Sequence, residues 1–398
     1  MSTILFAWEG GANLGHVDRM IGIARLLRER GYEPVFALRD VTRSYTRLVR
    51  EGFRVLQAPV WVPRPGAAAP QMVNFASILA SVGWLEAEHL AGLVSAWREL
   101  FAQLSPALLI ADHSPTALLA WRSSGKPAAT LGSSFELPPP GPGFPPFRWW
   151  ESRHQALATQ IDAAVLSIAN DALAMLDEAP LAKLPDIFAV RAHFLLGLPE
   201  LSHYGEYPAH IPFVGPSFRA DAGVTPSWPL AEGPRVFAYL DAAHKDFALL
   251  MEALRKLEWP TLVYAPGIDD ALLRRLQSHT LAFSTSPLRM DSVLADAQLV
   301  ISHASLGTAS AALLAGKPQL VLPNHVEQYM VARCVETLGA GLMSVPGERR
   351  MDYRAALRRL VTEPGFREAA EKVAKRHAGA TPARTDEHVA EACLALLD

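Results

Sequence analysis

The sequence predicts an α/β protein made of two successive parallel-sheet domains. Three observations carry this reading. Short apolar runs alternate with amphipathic helical stretches along most of the chain. The alternation breaks once, in a stretch dense in proline and glycine from about residue 205 to 234, and then restarts. The 398 residues are half hydrophobic and 19% charged, enough for two or three buried cores and far from a disordered composition.

The elements follow in order. Ile4–Trp8 is an apolar run closed by Glu9-Gly10-Gly11 and reads as a buried strand. After a glycine-rich turn to Gly15, Met20, Ile21, Ile23, Ala24, Leu26 and Leu27 recur at helical spacing, and Gly31 stops the helix. Pro34–Leu38 is the next strand, so the chain opens with a βαβ unit, which implies parallel strands and a right-handed crossover. A weak strand at 55–58, a long amphipathic helix at 83–104, a strand at 108–111 ending at Asp112, a helix at 114–124 and a strand at 128–131 follow. Ser133–Trp150 is a loop rich in proline and aromatics, and 152–178 has a helical pattern. Beyond the linker come strands at 236–240, 261–264, 299–301 and 319–322, with helices at 245–257, 269–277, 307–315 and 327–338, then helices at 352–377 and 386–397. The expected organisation is an N-terminal Rossmann-like domain at 1–212, a linker at 213–233, a second Rossmann-like domain at 234–378, and a C-terminal helix at 379–398 packing back on the first domain. Ligands of open parallel sheets bind at the carboxyl ends of the strands, so the expected site is the cleft where the two sheets face each other.

Composition excludes several partners. Lys+Arg is 37 and Asp+Glu is 40, a net charge of −3, which leaves no basic excess for a nucleic acid. Cys334 and Cys393 are the only cysteines, so disulfides do not organise the fold and a reducing compartment fits. No apolar stretch is long enough to span a membrane and the start lacks a basic leader, so the expectation is a soluble, cytoplasmic protein.

Three constellations can carry chemistry. Gly10-Gly11-Ala12-Asn13-Leu14-Gly15-His16 lies where the first strand meets its helix; His16 there is either a general base or a helix-capping side chain. The glycine spacing is not that of a dinucleotide fingerprint. Asp112, at the end of a strand, either orients an imidazole or caps the next helix. The third is Leu299–Thr308, a strand, a turn containing His303 and Ser305, and a helix start at Leu306-Gly307-Thr308. Free N–H groups and the positive end of a helix at such a turn suit a diphosphate. One unit further on, Glu327 and Gln328 can bond adjacent sugar hydroxyls, or simply begin a helix. The chain has no Asp-x-Asp and no zinc spacing, so no metal site is expected. Trp84, Phe144, Phe147 and Trp149 gather either as the wall of an apolar acceptor pocket or as a patch packed under the loop.

Residues 295–342, ADAQLVISHASLGTASAALLAGKPQLVLPNHVEQYMVARCVETLGAGL, resemble the donor-binding signature of GT-B glycosyltransferases, most closely the natural-product enzymes of family 1. LGHVDRMIGIARLLRERGYEPVFAL is similar to that family's N-terminal segment, and residues 350–376 resemble its C-terminal helices. The resemblance implies an inverting, metal-independent transferase without a cofactor. Its co-substrate is a nucleotide sugar, UDP- or dTDP-linked, and its acceptor a small apolar, aromatic or lipid-like molecule. It places the base on His16, its partner on Asp112, the diphosphate on His303, Ser305, Leu306, Gly307 and Thr308, the sugar on Glu327 and Gln328, and the nucleotide base near Ser286 and Leu288. An epimerase of the same fold and an inactive nucleotide-sugar binder are the alternatives. The departures are specific. Ala304 and Ser305 replace glycines and require negative φ there. Val331 replaces an asparagine, and Asp241-Ala242-Ala243-His244 stands where Gly-Thr or Gly-Ser is usual. Asp18 and Arg19 stand where Asn and Pro are common.

Overall fold

The computed structural model describes residues 1–11, 15–62, 71–218, 223–345 and 351–397. They form two compact units, as the sequence predicts: unit one holds Met1–Leu196, Tyr204–Gly215 and Pro382–Asp398, and unit two holds Gly197–His203 and Pro216–Thr381.

Unit one runs β1 (Thr3–Trp8), α1 (Gly15–Glu29), β2 (Glu33–Leu38), α2 (Val41–Arg50), β3 (Arg54–Gln57), α3 (Phe75–Ser81), α4 (Ala87–Leu104), β4 (Leu108–Asp112), α5 (Pro115–Trp121), β5 (Ala128–Gly132), α6 (Gln155–Ala174), β6 (Ala192–Leu196) and β7 (Phe213–Gly215). The sheet order is β3-β2-β1-β4-β5-β6-β7, with every pairing parallel. β1 is buried on both faces, and the two-residue period of a strand sorts its side chains. Leu5 and Ala7 pack with α3, α4, α5 and α6, whereas Ile4, Phe6 and Trp8 pack with Val17, Met20, Ile23 and Leu27 of α1. Each such buried aliphatic contributes about 1.5–3 kcal/mol.

Unit two runs β8 (Val236–Tyr239), α7 (Phe247–Leu257), β9 (Thr261–Tyr264), α8 (Asp270–Leu276), β10 (Leu281–Ser284), α9 (Met290–Asp296), β11 (Leu299–Ser302), α10 (Leu306–Leu314), β12 (Gln319–Val321), α11 (Val326–Thr337), β13 (Gly341–Met343), α12 (Tyr353–Thr362) and α13 (Pro364–Arg376). Its sheet is again fully parallel, in the order β10-β9-β8-β11-β12-β13. The last helix, α14 (Pro382–Ala395), belongs to unit one, where Val389, Ala390 and Cys393 join the cluster around Ile4, Phe6 and α1.

Several elements differ from the sequence reading. The helix expected over 83–104 starts later, at Ala87, as α4; Gly83, at φ +102°, lies in the turn that separates it from α3. Phe213–Gly215, read as the opening of a linker, is the edge strand β7 of unit one, and Gly197–His203 falls in unit two. α2, α3, β6, β7, β10, α9 and β13 were not expected. No helix among the described residues is long and apolar enough to cross a membrane.

Candidate active site

Three neighbouring strands of unit one deliver one charged cluster at their carboxyl ends. β1 and β4 pair Trp8 with Asp112, and β4 pairs in turn with β5. The chain after β1 enters α1, whose first turn carries His16 and, three residues on along the same face, Arg19. Ala12–Leu14 lie outside the described residues. The chain after β5 turns back through Ser133 and brings in Glu136, whose Oε2 accepts from the Ser133 amide at 2.5 Å.

His16 Nδ1 lies 2.8 Å from Asp112 Oδ1. Arg19 grips Asp112 with two donors: Nε reaches Oδ2 at 2.5 Å and Nη2 donates to Oδ1. The same Nη2 donates to Glu136 Oε2 at 3.0 Å. Nη2 also lies 2.8 Å from His16 Nδ1, but its two hydrogens are taken by the two carboxylates and a guanidinium accepts nothing. Neutral His16 therefore holds its proton on Nδ1, donates it to Asp112, and keeps a lone pair on Nε2. The Trp8 ring stacks on the imidazole at 5.2 Å. Gly11, at φ +78°, is the backbone next to Nε2; a Cβ there would run into that nitrogen.

The cluster is nearly closed to water, with side-chain exposure of 0% for Asp112, 7% for Glu136, 10% for Arg19 and 11% for His16. Burial opposes the charge on Glu136, but Arg19, then His16 and His113, outweigh it and hold the carboxyl well below its usual range. Arg19 is fixed in its charged form by Asp112 and Glu136 in spite of burial. His113, buried at φ +45° with no partner on Nε2, is pushed down to about 4 by burial. His16, His113 and Glu136 each bring a donor atom within 4.8 Å of the others, a spacing suited to a cation. Arg19 sets a permanent positive charge against one member of this group, donating to Glu136 Oε2 at 3.0 Å.

Close by, Glu9 is buried and accepts from the Thr116 and Ala117 amides at the start of α5, at 3.1 and 2.6 Å. Burial raises its carboxyl to about 7 against those hydrogen bonds.

In unit two, His303 follows β11. Its Nδ1 lies 2.6 Å from Leu322 O and so carries the proton, while Nε2 accepts from the Asp241 amide at 2.8 Å. Neither nitrogen of the neutral ring has an N–H to give an anion. His303 reaches a phosphate only by exchanging the Asp241 amide for a proton on Nε2. His244 packs 5.3 Å from it and accepts from the Asp246 amide on Nδ1, which leaves its own proton on Nε2. Ser305 precedes α10, but its hydroxyl bonds Thr308 Oγ1 at 2.9 Å, and no side chain caps the helix. The N–H groups at Leu306, Gly307 and Thr308 thus begin α10 without a side-chain acceptor.

Two sequence expectations for this turn and its surroundings need correction. Ala304 was expected at negative φ and is at +60°, the left-handed region; Ser305, at −60°, is unstrained. Trp84, Phe144 and Phe147 were expected to line an acceptor pocket. Each is at most 2% exposed and belongs to the packing of unit one: Trp84 donates to Thr116 Oγ1 at 3.1 Å, Phe144 meets Phe75 edge-on, and Phe147 stacks on Phe135. Trp149 is exposed. Glu327 and Gln328 lie in the first turn of α11, where Gln328 Oε1 accepts from the Asn324 amide at 2.9 Å. Ser286 and Leu288 lie between β10 and α9; Leu288 is buried and bridges to Val224, while Ser284 Oγ donates to Ser286 O at 2.7 Å. In the sequence, Arg19 and His244 stand out only as departures from the family pattern, and no motif singles out Glu136. An acidic residue four positions after the end of β5 was the available signal.

The chain is similar in sequence and fold to known proteins. Residues 283–396 match the family described as erythromycin biosynthesis protein CIII-like, C-terminal domain. The chain is 25% identical to a demethyllactenocin mycarosyltransferase of Streptomyces fradiae over 379 residues, 90% of this chain and 80% of that one. Among solved structures, a calicheamicin glycosyltransferase aligns over 99% of this chain and 98% of its own with a TM-score of 0.72 and 19% identity. The glycosyltransferase VinC, in complex with dTDP, aligns over 100% and 99% with a TM-score of 0.65 and 19% identity.

Proposed function

We propose, for a chain that is a GT-B glycosyltransferase similar to the family 1 enzymes, an inverting and metal-independent transfer of a sugar from a nucleoside-diphosphate sugar to a hydroxyl of a small apolar acceptor. The observation that carries it is the His16 Nδ1–Asp112 hydrogen bond of 2.8 Å, which leaves the Nε2 lone pair beside the backbone of Gly11. Nε2 takes the acceptor's proton. Asp112, a positioning residue, holds Nδ1–H and offsets the imidazolium. The freed oxygen forms the new bond to the anomeric carbon as the bond to the diphosphate oxygen breaks. The leaving charge falls to the open N–H groups of α10 and to His303 once it takes up a proton on Nε2. Glu327 and Gln328 hold the sugar hydroxyls. A UDP or dTDP nucleotide is the expected carrier, supported by the dTDP bound to the structurally similar VinC. Exposed Trp149 offers the acceptor an apolar surface.

The test is a panel of nucleotide sugars, read by nucleoside-diphosphate release with and without candidate acceptors. Acceptor-dependent release that His16→Ala abolishes and excess chelator spares is expected. Conversion of the donor to an epimer, or binding without turnover, would replace this reading.

A further inference from the structure

We propose that Arg19 and Glu136 are a compensating pair of positioning residues: Arg19 locks Asp112 and the tautomer of His16, and Glu136 returns the negative charge that Arg19 cancels. This rests on the reading of His16 as the base. An arginine beside Asp112 is a hazard for a His–Asp base, because it neutralises the carboxylate meant to offset the imidazolium. Here the groups that face His16 are Asp112 at the end of β4, His113 just after it, Arg19 on α1 and Glu136 after β5. His113 is held neutral by its burial. The remaining three sum to one negative charge, and protonation of His16 brings the nearly closed cluster to zero. Glu136 is placed for this work: Oε1 lies 3.7 Å from His16 Nδ1, while Oε2 is held by Arg19 and the Ser133 amide. Arg19 spends one Nη2 hydrogen on Asp112 and the other on Glu136, which leaves Nδ1–H of His16 as the donor to Asp112.

The pair makes opposite demands on pH, which a merely structural role would not. Arg19→Met leaves two buried carboxylates around His16, so the imidazolium persists to higher pH and the acid limb of the kcat/KM profile moves up by about one unit or more. Glu136→Gln leaves a neutral Arg19–Asp112 pair, so the same limb moves down by a similar amount and kcat falls by roughly tenfold or more. The double variant restores one negative charge and should bring the limb back near the wild-type position, with at least about tenfold more activity than the weaker single variant. Arg19→Lys keeps the charge but not the fork, and should lower kcat with the limb in place. Thermal melting of each variant separates these effects from misfolding. Limbs that move in the same direction, or losses that simply add in the double variant, would overturn the pairing. Wild-type turnover by His16→Ala would instead remove the base itself, a result the pair cannot produce.

Discussion

The helices α5 and α10 each begin just after a central strand of their own unit, and their N-termini are treated in opposite ways. The α5 amides at Thr116 and Ala117 are filled from within the protein by the buried carboxyl of Glu9. The start of α10 has no side-chain cap, and Ser305 and Thr308 spend a hydroxyl contact on each other. The two histidines nearby differ in the same sense. His16 stands in a finished network with Nε2 left over, whereas both nitrogens of His303 are engaged with the backbone of Leu322 and Asp241. The network of unit one is complete within the protein, whereas unit two leaves the start of α10 without a side-chain cap and ties its histidine to the backbone. On the proposed function, proton-transfer groups gain from being fixed in advance, because rigidity there lowers the cost of reaching the transition state. A diphosphate that must enter and leave is better served by donors that are free or weakly committed.

Breaking the finished network should cost most. Asp112→Asn should lower kcat by about 10²–10⁴-fold, since Nδ1–H would lose its anionic acceptor and Arg19 its partner. Affinity for a free nucleoside diphosphate should stay near wild type. Stopped-flow or steady-state rates beside calorimetric titration make the check. Intact turnover would reduce Asp112 to a partner of Arg19 alone.

Glu9 sharpens the comparison through pH. Its carboxyl is raised from 4.5 to about 7, burial outweighing the hydrogen bonds from Thr116 and Ala117. The folded state thus binds the proton more tightly than the unfolded chain. The stability it contributes is complete below 4.5 and is lost as pH rises toward 7, at about 1.4 kcal/mol per pH unit. His113, lowered to about 4 by burial, pulls the other way over an overlapping range. The measurement is therefore a difference: the stability of wild type minus that of Glu9→Gln, by denaturant unfolding from pH 4.5 to 7. That difference should decline with pH. A flat difference would mean Glu9 stays ionised and the α5 amides carry a full charge, much as α10 would carry a phosphate.

The donor side should respond more mildly. His303→Ala should weaken binding of both the free diphosphate and the intact nucleotide sugar by about tenfold, roughly 1.4 kcal/mol. It also removes the acceptor of the Asp241 amide. Glu327→Ala should weaken the intact nucleotide sugar and leave the free diphosphate nearly unchanged. Titrating both ligands against both variants decides the assignments; equal loss of the free diphosphate in both would take Glu327 away from the sugar.

These contrasts were only partly legible in the sequence. The central strands β1, β4, β8 and β11 are continuous apolar runs because both faces are covered, and their ends carry Asp112 and His303 and lead into the turn before His16. The helix α2 escaped because its inward stripe, partly buried Val41 with buried Ser44 and Leu48, is narrow and includes a serine, while exposed Tyr45 and Val49 stand beside Arg43, Arg47 and Arg50. The strands β7 and β13 are three residues long, too short for a period. Glu136 was hidden because its role depends on Arg19, distant in sequence and joined to it only when β1, β4 and β5 lie side by side. The aromatic residues misled in another way: hydrophobicity marks a side chain for burial but does not say whether a ligand or the protein covers it. In Trp84, Phe144 and Phe147 it is the protein.

The smallest effect is expected where the sequence looked most disturbed. Ala304 occupies the left-handed region, which costs an alanine about 1–2 kcal/mol relative to glycine. Yet its methyl is fully buried in a cluster with Leu198, Ala309, Leu313 and Val331. Removing that methyl forfeits about 0.8 kcal/mol of burial, and a glycine adds about 0.5–1 kcal/mol of chain entropy to be lost on folding. The two sides nearly cancel. Ala304→Gly should therefore leave the melting temperature within a few degrees of wild type and the nucleoside-diphosphate affinity within about threefold. The turn has already reached, with an alanine, the backbone shape that a glycine would take. A large gain in diphosphate affinity on Ala304→Gly would mean that the methyl distorts the α10 N-terminus. The open anion site of unit two would then be a strained one, and its contrast with the filled N-terminus of α5 would reflect damage and not design.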